Sequence, residues 1–89
     1  MKAVITVTGK DSVGIIAKVS AECAKYDANI VDISQSVLSE YFAMIMLADI
    51  DKLSVPFADF VDAMAAVGKD KNLDVHVRHE DIFNTMHHI

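Results

Sequence analysis

The 89-residue chain contains no tryptophan, one proline, three glycines and one cysteine. With so few chain breakers, disorder and low complexity are excluded. Cys23 stands alone and has no intramolecular disulfide partner, which points to a reducing compartment. Basic charge is scarce too: seven lysines and Arg78 face thirteen acidic residues, a formal net charge of −5. No basic stripe is present to displace phosphate counterions, so nucleic acid is not the expected partner. No apolar run reaches the ~20 residues that cross a bilayer. The N-terminus, Met1-Lys2-Ala3-Val4-Ile5, enters an alternating pattern directly, without a signal-peptide apolar stretch. The expected setting is cytoplasmic, with no membrane partner.

What is present in excess is apolar residue, 53% of the chain against a usual ~45–50%. A chain of this length supports one domain and buries only about 60–65% of its unfolded surface. The surplus therefore suggests apolar surface covered from outside the monomer, most simply by a second copy.

Residues 2–8 are rich in β-branched types and stop at Gly9, a strand signal. From Val13 to Tyr26, Ile16, Val19, Cys23 and Tyr26 recur at helical spacing. Residues 29–38 alternate, with Val31, Ile33 and Val37 on one face and Asp32, Ser34 and Ser36 on the other, as in a half-buried strand. After a break at Ser39-Glu40, residues 41–50 are apolar on both faces and read as a central strand hairpin-paired with the previous one. Ser54-Val55-Pro56 opens a second helix with Ser54 as N-cap. Phe57, Phe60, Val61, Met64 and Val67 form its stripe, and Gly68-Lys69 its stop. Leu73, Val75 and Val77 alternate as a fourth strand. In residues 80–89, Ile82, Phe83, Met86 and Ile89 sit at helical spacing.

The order βαββαβ predicts an α+β, ferredoxin-like sandwich: a four-stranded antiparallel sheet with two helices on one face. The expected division is a domain over 1–79 and a short helical tail over 80–89. That architecture hosts many activities, so function must be argued from a site.

The densest signal is Gly9-Lys10-Asp11-Ser12-Val13-Gly14-Ile15-Ile16, a strand-to-helix turn. Gly9 is expected to supply turn torsions, Asp11 or Ser12 to cap the helix, and Gly14 to permit close approach. Backbone N–H groups at the positive end of a helix suit a carboxylate. A well-capped helix with no ligand accounts for the same residues.

Together with Ala28-Asn29-Ile30-Val31-Asp32-Ile33, this loop resembles the ACT domain, a small-molecule-sensing module of amino-acid metabolism. The match is nearest to short stand-alone members of the glycine-cleavage regulator type and covers residues 2–79. The resemblance implies non-catalytic, regulatory binding of a small ligand, often an amino acid, between the first loop and the second-strand start of a neighbouring subunit. It implies a homodimer joined through sheet edges. Carried over residue by residue, the ligand-binding set is Asp11, Ser12, Val13, Gly14, Asn29 and Ile30, with no cofactor. Asp11 would accept from an ammonium group, Asn29 would donate and accept, and loop amides would hold a carboxylate. The chain departs from the commoner Asp-Arg-Pro-Gly loop, having Ser12-Val13 in the middle, and it has Gly9 where serine-sensing members have histidine. The ligand's identity is therefore open.

Two further readings stay open beside this one. A pure assembly module would use the apolar strand 41–50 and the tail. A metal-responsive module would draw on His76, His79, His87 and His88; His76 and His79, three apart on a strand, are expected on opposite faces. Enzymatic readings are weaker. An acylphosphatase-like site needs an arginine in the first loop, and the one arginine is Arg78. RNA binding needs aromatic platforms on the central strands, but Tyr41 and Phe42 are adjacent and face opposite ways. Cys23 reads as a small core hydrophobe, Met44, Met46 and Met64 as core filler, and Asp49 and Asp51 as solvated strand-end charges.

Overall fold

A computed structural model describes residues 1–10 and 14–80. The elements are β1 (Lys2–Gly9), α1 (Ile15–Lys25), β2 (Asn29–Leu38), β3 (Tyr41–Asp49), α2 (Phe57–Lys71) and β4 (Asp74–His79). The strands form one antiparallel sheet in the order β2-β3-β1-β4, with both helices on one face. This is the expected ferredoxin-like sandwich. The tail expected to be helical lies, beyond Glu80, outside the described residues, as do His87 and His88.

The two-residue side-chain period of the strands builds the core. Ala3, Ile5 and Val7 of β1 face the helices, aligned with Ala48, Met46 and Met44 of β3 and with Val77 and Val75 of β4. Against them pack Ile15, Val19 and Cys23 of α1 and Phe60 and Met64 of α2. Tyr26 meets Phe60 edge to face, with ring centroids 6.1 Å apart. The opposite sheet face, carrying Thr6, Thr8, Tyr41, Ala43 and Ile45, has no layer over it among the described residues. Strand β3 is thus central, but only its helix-side residues are core.

Four local expectations need correction. The inward residue of the first helical turn is Ile15, while Ile16 is exposed. The chain enters α1 through Gly14 at φ 72°, so α1 begins at Ile15 and its stripe is set by that start. Helix α2 begins after Pro56, which holds the N-cap position instead of Ser54. It runs through Gly68 and ends at Asn72, whose left-handed conformation (φ 59°) lets its own N–H reach the carbonyl of Lys69; asparagine tolerates that region better than most residues. Finally, β2 is not half-buried. From Val31 to Val37 every residue is exposed, because β2 is the sheet edge beyond the cover of the helices.

Candidate functional site

Gly9 ends β1 paired with Phe42 and has no left-handed torsion. Its need for glycine is steric: a Cβ there would collide with the Leu73 side chain, which folds over the end of β1. The next residues expected to bind ligand, Asp11, Ser12 and Val13, lie outside the described residues. Gly14 is the N-cap of α1 in place of Asp11 or Ser12, and among the described residues nothing caps it by a side chain or crowds it. Its carbonyl accepts the first helical hydrogen bond, from the Lys18 N–H at 3.0 Å.

Asn29 is the first residue of β2. It is aligned with Asp49, which is aligned with Lys2 at the start of β1. Ile30, aligned with Ala48, packs on the edge of the core. A bulge between Ile30 and Asp32 then resets the register. Because β1 and β2 run the same way, Asn29 and Gly9 lie at opposite ends of the sheet. Seven residues of β1 separate the two levels, about 23 Å at ~3.3 Å per residue. Within one subunit the end of β1, from which the expected loop departs, is thus remote from Asn29.

A recess of about 520 Å³ lies beside Asn29, lined also by Ala24, Asp27, Ala28 and Lys52. Asp27 adopts φ 61° in the turn after α1, where the N–H groups of Asp27 and Ala28 are bonded to the carbonyls of Ala24 and Cys23. Opposite charges thus flank a small apolar floor. Asp27 and Lys52 were not legible as site residues; the only local sign was a charged residue at the helix exit two before Asn29.

Among the described residues the outer edge of β2 is unpaired. Along it Val31, Ile33 and Val37 stand exposed, Val37 to 71%. Ile16 of α1 is exposed as well.

The other residues of interest are dispersed. His76 is exposed on the open face, aligned with Thr6, whereas His79 stacks on Phe57 with ring centroids 3.9 Å apart. They lie on opposite faces of β4, and among the described residues no three His, Cys, Asp or Glu side chains gather in a metal-binding group. Cys23 is fully buried, and burial pushes its thiol up to about 11. At the sheet end the Asp51 N–H donates to Asp49 Oδ1 at 2.9 Å, and the Asp51 carboxylate pairs with the Met1 ammonium.

The family model of the ACT domain matches residues 2–78. The chain belongs to the ACT domain family. This ACT domain is 44% identical over 87 residues to a UPF0237 protein of Listeria monocytogenes, covering 98% of each chain. It superposes on an ACT domain protein from Streptococcus pneumoniae with a TM-score of 0.82 and 41% identity, covering 93% of each. The same fold recurs within a formyltetrahydrofolate deformylase from Pseudomonas syringae (TM-score 0.76, 25% identity), where 86% of this ACT domain matches 27% of that chain.

Proposed function

We propose that this ACT domain is a non-catalytic regulatory module of the cytoplasm that binds a small molecule of amino-acid type as a homodimer. The observation carrying this reading is the roughly 23 Å between Gly9 and Asn29, set beside an unpaired β2 edge bearing Val31, Ile33 and Val37. Antiparallel pairing of two β2 edges would extend the sheet to eight strands and cover those side chains. It would also carry the partner's β2 start to the sheet end where this subunit's first loop lies. The ligand is then held by Asp11, Ser12, Val13 and Gly14 of one subunit and by the residues corresponding to Asn29 and Ile30 in the other. The recess at Asn29 supports a zwitterionic ligand, because Asp27 and Lys52 bring a carboxylate and an ammonium group to one small cavity.

The test is a thermal-shift screen of the twenty amino acids against wild type, Asp11→Ala and Asn29→Ala, with sedimentation at micromolar concentration. A ligand at 100 times its Kd adds about 2.7 kcal/mol. A shift for one or a few amino acids, lost in both variants, upholds the reading. A stable monomer overturns it. An intact dimer with no shift leaves only an assembly role.

A further inference from the structure

We propose a second ligand site, on the open face of the sheet, for a flat aromatic molecule carrying an anionic group. At the end of the sheet away from Asn29 three connections converge: the exit of β1, the β2–β3 hairpin and the turn from α2 to β4. Between them lies a cavity of about 1040 Å³. Its size is at the upper end for small-molecule sites, ~300–1,000 Å³, and well beyond the 520 Å³ recess at Asn29.

The strand register explains the cavity. Ser36 is aligned with Ala43, Ala43 with Thr8, and Thr8 with Asp74, one row crossing all four strands on the uncovered face. All four side chains are short, so the floor is low and carries two hydroxyls. Two residues before Ala43 on β3, Tyr41 rises from the same face, about half exposed. Its ring is one wall, able to stack on a flat ring.

Charge favours an anion. Among the described residues Lys10 and Lys69 line the cavity against the one carboxylate of Asp74. The Lys10 ammonium lies over the Tyr41 ring, 5.4 Å from its centroid, so a flat group takes that face as the lysine swings aside and its freed ammonium meets the anionic substituent. Lys10 also faces Glu40 at 3.9 Å, but both side chains are about two-thirds exposed, and such a contact is readily exchanged. The carbonyls of Gly68 and Lys69 near the end of α2 are already bonded to the N–H groups of Leu73 and Asn72.

The test uses 8-anilinonaphthalene-1-sulfonate, a flat aromatic anion whose emission rises in apolar surroundings. Wild type is expected to bind one probe per chain saturably. Tyr41→Ala, Ser36→Phe and Lys69→Glu should each weaken binding at least tenfold, whereas Tyr41→Phe and Lys69→Arg retain it. Circular dichroism checks that each variant is folded. N-phenyl-1-naphthylamine, the same ring system without sulfonate, should bind at least tenfold more weakly. Equal affinity for the uncharged probe overturns the proposal. So does probe binding that survives Ser36→Phe and Lys69→Glu but is lost in Val37→Asp, which would place it on the β2 edge.

Discussion

The Leu73 N–H donates to the Gly68 carbonyl at 2.7 Å, and the Leu73 carbonyl stands 2.6 Å from where a Cβ on Gly68 would be. One residue thus caps the last turn of α2 and excludes a side chain from it. Val75 Cγ2, at 2.8 Å from the same point, closes the space from β4. Ordinarily alanine is preferred over glycine inside a helix by about 1 kcal/mol. Here Gly68→Ala is expected to lower stability by about 1–3 kcal/mol, an overpacking cost. Gly9→Ala should cost less, because it meets the tip of the Leu73 side chain, which can rotate, instead of fixed backbone. Urea unfolding of both variants gives the ranking.

Gly14 differs from both. A methyl group at this position would meet nothing within 4 Å among the described residues, yet its φ is 72°, so the expected cost is torsional. Gly14→Ala is expected to lose about 1–2 kcal/mol and Gly14→Asn less, since asparagine visits left-handed backbone more readily. Equal losses would show that the helix entrance rearranges.

The core hinges on Phe60, fully buried between the helices and the sheet and in edge contact with Tyr26. Phe60→Ala should cost about 3–5 kcal/mol, a large part of the ~5–15 kcal/mol typical of a domain. Thermal unfolding followed by circular dichroism measures it.

Burial of Cys23 gives a pH dependence of definite sign. The folded thiol titrates at about 11, above the ordinary thiol value of 9.0. The folded state therefore holds the proton more tightly. Stability from this group is intact below pH ~9 and falls as pH rises toward 11. Cys23→Ala should remove that alkaline slope. In native protein at pH 8 the thiol should react with a disulfide reagent far more slowly than in urea.

Val37→Asp and Ile33→Lys place charges on the β2 edge, where both side chains are exposed in the monomer. Monomer stability is expected to change by less than about 0.5 kcal/mol, while sedimentation shifts toward the monomer. A dimer unaffected by both changes would place the interface elsewhere.

The alternation of residues 2–8, 29–38 and 73–77, the apolar run 41–50 and the helical spacing over residues 13–26 and 57–67 together give the βαββαβ order. Finer features depended on contacts remote in sequence. Ile15 and Ile16 are both apolar, so periodicity alone did not fix which faces inward; the torsion at Gly14 did. Gly9 looked like a turn glycine, but its constraint comes from Leu73, sixty-four residues away. The alternation in β2 suggested a buried face, yet burial depends on whether a helix lies above that strand, and strand order decides this. For the candidate site, the motif singled out Asn29 but not Asp27 or Lys52, which line the recess beside it because the turn after α1 and the segment after β3 end at one corner of the sheet.

The placement of Asn29 and Gly9 at opposite sheet ends has a bearing on dose response. Under the proposed pairing a lone chain would carry two unmatched half-receptors, and each dimer would complete two at once. Ligand occupancy and self-association then become linked equilibria. Apparent affinity falls as the protein is diluted, and below the dimer dissociation constant the ligand acts as a glue. Such a module reports the abundance of its ligand only in proportion to its own expression level.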